Sequence, residues 1–235
     1  MYNIYNGGIT INNLQVIDFN NSIDNAIFDF CYELALRDAT IQGAFLGKLD
    51  ELRNNEEMKY KVNDFICHIL CNDSDDFVIN TIDDICDLMK EYNNSKTERQ
   101  YQFKLGNVQK LVNMTAKYMF ISTCNNPDLR ESFKNCHCPL DSTIAKLIYV
   151  LCLDSGISLN KIGYYDSVMN KRRSIKSFFK DFHFSNINKE QYIFCQESIK
   201  KIVKENSNVN SSLEFDMFYW NKYSREEIDE RFKNS

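Results

Sequence analysis

The sequence predicts a mainly α-helical, multi-helix fold, on three observations. Only 7 Gly and 2 Pro occur in 235 residues, too few for the many tight turns of a β-sandwich or barrel. Apolar residues recur at helical spacing in one segment after another. Hydrophobic residues make up 43% of the chain and aromatics 13%, so a chain of this length can bury a sizeable core.

Taken in order, residues 1–18 are rich in Ile, Val and Tyr, with Gly7-Gly8 as a turn signal. They predict a short hairpin pairing Asn3–Tyr5 with Thr10–Val16. Asn20–Ser22 supplies a cap for a helix over Ile23–Arg37, where Ile23, Ile27, Phe28, Phe30, Cys31 and Leu34 keep helical spacing. Further helices are predicted at Thr40–Asn54, Glu57–Cys71, Val78–Tyr92, Val108–Ser122, Thr143–Asp154, Tyr164–Phe179, Lys189–Glu205, Ser211–Tyr223 and Arg225–Phe232. Asn93–Glu98 and Asn125–Lys134 read as loops. No internal repeat and no Pro- or Ser-rich linker divides the chain, so residues 1–235 are expected to form one unit.

No run of about eighteen apolar residues marks a membrane span, and Met1-Tyr2-Asn3-Ile4 lacks the opening of a signal peptide. The expected setting is the cytoplasm, with no membrane partner. The 9 Cys are odd in number and fit buried free thiols in a reducing compartment. Cys136-His137-Cys138 does not have zinc-site spacing, because consecutive side chains point in different directions. Cys67, His68 and Cys71 keep helical spacing in an apolar stretch and read as core. No metal and no cofactor is expected.

The formal net charge of −5 is unevenly spread. Residues 1–105 carry 9 Lys+Arg against 18 Asp+Glu, and residues 106–235 carry 19 against 15. Lys171-Arg172-Arg173 and Lys200-Lys201 lie in the basic part. A polyanion can meet that half, although a charge run alone is equally an ordinary solvated helix face.

The predicted helix Val108–Ser122 has an apolar stripe of Val108, Leu111, Val112, Thr115, Tyr118 and Met119. Gln109, Lys110, Asn113 and Lys117 make its polar side, with Lys110 and Lys117 two turns apart on one face. Downstream, Pro139 holds its neighbour extended, and Asp141 or Ser142 can cap the apolar helix that follows. A helix N-cap favours a negative charge.

The run Gly106-Asn107-Val108-Gln109-Lys110 before a helix, then Pro139-Leu140-Asp141 opening a second helix, resembles the Lys-and-Asp signature of helix-hairpin-helix DNA glycosylases. The long Lys110-to-Asp141 separation is similar to the archaeal 8-oxoguanine DNA glycosylase branch. Leu213–Trp220 resembles the segment in which that branch sets an acid and a Trp one turn apart. The resemblance covers roughly 106–154 and 211–223. It implies two helical lobes, about 1–105 and 106–235, with a helix-hairpin-helix element.

The roles it implies are Lys110 as nucleophile at C1′, Asp141 as stabiliser of positive charge on the sugar, Asp216 as acceptor from the base and Trp220 as its stacking partner. Gln42 is a further base-reading candidate. Gly106, Gln109, Lys117, Lys171, Arg172 and Arg173 are candidates for DNA contact. A lysine that attacks C1′ must be neutral, which calls for burial or a nearby cation such as Lys117. The chain departs from the family in having only Gly106 where most members carry a Gly-hydrophobic-Gly hairpin, and in lacking the C-terminal iron–sulfur cysteines of some members.

The expected activity is therefore excision of an oxidised or modified base from duplex DNA, with cleavage at the abasic site, by a monomer. Trp220 with Phe215, Phe218 and Tyr219 is alternatively plain core. Two other functions remain open on the sequence. A catalytically silent DNA-binding module would bind DNA with strong salt dependence and give no product. A helical protein-interaction protein would not bind DNA at low salt.

Overall fold

The structure, a computed structural model, describes residues 10–11, 14–15, 22–41, 45–70, 75–98, 101–123, 125–159 and 174–235. Among these the protein is mainly helical, as the sequence predicts. The helices are α1 (Ser22–Thr40), α2 (Leu49–Arg53), α3 (Glu56–Leu70), α4 (Asp75–Leu88), α5 (Lys90–Asn94) and α6 (Leu105–Ser122). They continue with α7 (Pro127–Ser132), α8 (Ser142–Asp154), α9 (Ile175–Lys180), α10 (Lys189–Glu205), α11 (Ser212–Lys222) and α12 (Arg225–Asn234). Short 3₁₀ turns lie at Phe133–Asn135 and Phe184–Asn186. Near the N-terminus Thr10–Ile11 pairs antiparallel with Leu14–Gln15, within the segment read as one strand. Asn3–Tyr5 lies outside the described residues.

Three predicted segments are corrected. The single helix expected over Thr40–Asn54 is instead the end of α1 and the separate short α2. Gly47 sits between them, and a Cβ there would stand 2.1 Å from the Phe45 ring. Phe45 is buried, so the chain folds its ring over a residue that has no side chain, and helix gives way to a close turn. The loop expected over Asn125–Lys134 contains α7, started by the Asn126 side chain accepting from Leu129 N and by Pro127 in the first turn. The helix predicted through Tyr164–Phe179 does not run through Ser174, which is extended and caps α9; residues 160–173 lie outside the description.

α1 packs along α6, α4 packs on α6 as well, and α8 lies among α9, α10 and α12. The reason is composition: α8 buries Ile144, Leu147, Ile148, Val150 and Leu151 on nearly its whole circumference, as a helix apolar all round must. Buried residues from α1 to α12 belong to one hydrophobic cluster. Asn107, in the first turn of α6, ties the two long helices together. Its amide donates to Ala39 O (2.8 Å) at the end of α1 and its oxygen accepts from Lys104 N (3.2 Å).

α6 begins at Leu105, so Gly106 lies in its first turn. The Phe184–Asn186 turn crosses directly over this point: a Cβ on Gly106 would stand 1.6 Å from Phe184 O and 2.8 Å from Ser185 Cα. No rotamer change relieves a clash with backbone. Gly106→Ala is therefore expected to destabilise the protein by about 1–3 kcal/mol or more, read as a lower urea midpoint. Unchanged stability would show that the Phe182–Asn186 segment is free to shift.

Candidate functional site

The site is built on an extended strand of chain, Cys138–Asp141, laid between α6 and α10. Pro139 keeps it extended, and two buried glutamines hold it as a neighbouring β-strand would. Gln196 on α10 accepts from Cys138 N (3.1 Å) and donates to Cys138 O (2.7 Å). Gln109 on α6 accepts from Leu140 N (3.3 Å) and donates to Leu140 O (3.2 Å). Both carboxamides are almost wholly buried. Asn113 donates to Gln109 Oε1 (3.3 Å) and to the Tyr192 hydroxyl (3.0 Å), which also pairs with His137 Nδ1 (2.8 Å).

This network corrects the sequence reading of Gln109 and Asn113 as members of a solvated polar face. They are buried because the backbone of another segment needs hydrogen-bond partners there. Gly106 and Gln109 are thus closely packed inside the fold, where each has a structural role. His137, Cys136 and Cys138 are buried, neither thiol is in a disulfide, and burial pushes the Cys138 thiol well up. Among the described residues no group of three His, Cys, Asp or Glu is placed to hold a metal ion.

With its neighbour Leu140 clamped, Asp141 is delivered to the start of α8. One carboxylate oxygen, Oδ1, accepts from Thr143 N and Ile144 N, both at 2.9 Å. Lys110, Met114 and Lys117 follow the i, i+4, i+7 spacing of α6 and face the same space. A cavity of about 250 Å³ is lined by Asp38, Lys110, Met114, Lys117, Tyr118, Pro139, Asp141, Asp216 and Trp220. Lys110, Lys117, Asp141, Asp216 and Trp220, singled out on sequence alone, therefore meet at one place.

A second, wider cavity of about 570 Å³ adjoins the first. Asp38, Lys110, Asp141 and Trp220 line both, and the wider one is completed by Ile41, Ser142, Phe182–Asn186 and Arg225. Lys110 Nζ lies 4.4 Å from the centre of the Phe184 ring, within cation–π range, so the turn fixed by Gly106 also positions the lysine. Arg225 Nε donates to Thr143 Oγ1 (3.3 Å) at the wall of this cavity. Trp220 is 49% exposed. Phe215 and Tyr219 are buried as core, but Trp220 is not: its ring borders both cavities.

Asp216 is only 4% exposed and forms an ion pair with Lys117, whose side chain is also largely buried. Lys117 thus lines the cavity through its ion pair with Asp216. Burial pushes the Asp216 carboxyl above the ordinary carboxylate range; Lys117 opposes this, the Asp141 charge adds to it and Lys110 opposes it again. Tyr118 donates to Asp38 Oδ2 at 2.5 Å. Burial, then the hydrogen bond and charge of Asp38, raises the phenol far above its usual value, which keeps it a donor.

Asp38, Met114, Tyr118, Phe184 and Arg225 were not picked out by sequence. Of these only Tyr118 lay within an analysed pattern, as part of the apolar stripe. Gln42, Lys171, Arg172 and Arg173 lie outside the described residues. No described helix is long and apolar enough to cross a membrane.

Compared with known proteins, the chain matches no family model, no curated protein and no solved structure at a significant level.

The buried pair makes stability pH-dependent in a stated sense. The folded value of Asp216 lies above the unfolded value of 3.8. Its contribution is most favourable to folding below that value and is lost as pH rises through the folded one. Lys117→Met removes the main opposing charge and raises the folded value further. The variant is expected to lose about 3–5 kcal/mol near neutral pH and to recover much of this on acidification. Urea titrations at several pH values check this; a loss independent of pH would contradict the pairing.

Proposed function

We propose that the protein is a helix-hairpin-helix type DNA glycosylase with abasic-site lyase activity, acting on an oxidised purine of the 8-oxoguanine kind in duplex DNA. The observation that carries this reading is the convergence of Lys110, Asp141, Asp216 and Trp220 on one small cavity. These residues come from α6, the α8 cap and α11, and they are the types such chemistry requires.

The target nucleotide leaves the stack at a cost of a few kcal/mol, offset by contacts in the pocket. Its base enters the smaller cavity, where Trp220 and Met114 offer apolar faces and the Asp216–Lys117 pair offers an acceptor beside a donor. Sugar and phosphate occupy the wider cavity, toward Ser142 and Arg225. Lys110 lines both cavities and so stands at their junction.

Lys110, once its ammonium has given a proton to solvent, attacks C1′ and the N-glycosidic bond breaks, its electron pair leaving with the base, which takes up a proton from solvent. Positive charge that builds on the sugar is stabilised by Asp141, whose carboxylate is already oriented by two backbone N–H groups. The lysine nitrogen then loses a proton and the sugar ring opens to a Schiff base, from which elimination of the 3′ phosphate nicks the strand. Gln109 acts as a positioning residue, holding the Asp141 segment against the helix that carries Lys110.

Single-turnover excision and nicking assays on duplexes carrying 8-oxoguanine or an abasic site test the proposal. Lys110→Ala is expected to lower nicking of the abasic duplex by at least about a thousandfold, with far-UV circular dichroism unchanged. Equal nicking by wild type and Lys110→Ala would remove the proposed nucleophile.

A further inference from the structure

Asp38 is the one carboxylate of the cavity that the proposed reaction leaves without a task. It sits near the end of α1, 72 residues before Lys110 in the chain, and it lines both cavities. Its Oδ2 accepts from the Tyr118 hydroxyl at 2.5 Å, and no other hydrogen bond or ion pair to it occurs among the described residues. The tyrosine is held protonated by its surroundings, so it orients the carboxylate as a fixed donor. Oδ1 and the second lone pair of Oδ2 remain for a ligand.

The two walls of the cavity differ in what they can accept. On the α11 side a carboxylate and an ammonium stand in contact, Asp216 with Lys117. That arrangement matches a base edge on which a donor lies beside an acceptor, such as the N7–H and O8 of an oxidised purine. On the α1 side stands an acceptor only. It matches an edge that carries two donors, and among purines this is the N1–H and N2–H₂ edge of guanine. Adenine presents a bare N1 there, whose lone pair would face the lone pairs of the carboxylate.

We propose that Asp38, oriented by Tyr118, is a specificity-determining residue that reads the N1–H/N2–H₂ edge and restricts the site to guanine-type bases. The inference rests on the glycosylase reading of the same cavity. An asparagine at this position can turn its amide to accept from an adenine N6–H₂ and donate to N1, so charge removal relaxes the choice and does not merely weaken binding.

The test is the ratio of single-turnover excision rates on duplexes carrying 8-oxoguanine and 8-oxoadenine, measured for wild type, Asp38→Asn and Tyr118→Phe. Wild type is expected to favour 8-oxoguanine by about 10- to 100-fold, the discrimination of one good bidentate pair. In Asp38→Asn the ratio is expected to fall at least tenfold. Tyr118→Phe, which keeps the carboxylate but frees its orientation, should fall between the two. Loss of packing would lower both rates together and leave the ratio intact, so an unchanged ratio in a folded Asp38→Asn overturns the role of Asp38 and leaves the glycosylase reading standing. Wild type that excises neither base and nicks no abasic duplex overturns both.

Discussion

Gln109 accepts a hydrogen bond from the backbone of Leu140 and returns one to it, and the site depends on that exchange. It joins the N-terminal part of α6, the helix that carries Lys110 and Lys117, to the extended segment that ends in Asp141. Gln196 repeats the arrangement two residues earlier from α10. Each such bond contributes only about 0.5–1.5 kcal/mol net, but a buried partner left unmet costs about 1–3 kcal/mol. The segment therefore has one low-energy register against α6, and a slip of one residue would strand buried amides and move Asp141 off its cap.

Electrostatics adds a second constraint. Three carboxylates and two ammonium groups line the smaller cavity. Only Lys117 and Asp216 are paired directly; Asp141 is held by backbone N–H groups and Asp38 by a phenol. Each charge is thus fixed by a different kind of partner and none has to reorganise as charge develops on a substrate. Lys110 has an aromatic ring beside it and carboxylates on the same cavity. The Phe184 ring that holds it depends in turn on Gly106 lacking a side chain, which links a glycine read from sequence as a phosphate contact to the placement of the lysine.

Local signals in the sequence were enough for much of the fold. α10 spans Lys189–Glu205 as its periodicity predicts, and Asp141 caps α8 because cap chemistry is decided within a few residues. The break after α1 was missed because it turns on Phe45 folding over Gly47, a contact that periodicity does not record. Lys110, Asp141, Asp216 and Trp220 could be picked out by their resemblance to a signature, since each lies in a short motif. Asp38 could not, because its meeting with Tyr118 joins positions 80 residues apart. Gln109 and Asn113 misled for a related reason: a polar residue on a helix reads as solvated unless the buried backbone it satisfies is known.

The claim at the centre of this account is that Lys110 is the nucleophile in a cavity that also holds the base. Borohydride trapping on a duplex containing an abasic site, followed by trypsin digestion and peptide mass mapping, tests it most directly. A covalent adduct on Lys110 blocks cleavage there, so the account predicts one modified peptide spanning residues 105–117 with the missed site at Lys110. An adduct on Lys117, on another lysine or on the terminal amine, with Lys110 unmodified, would contradict it.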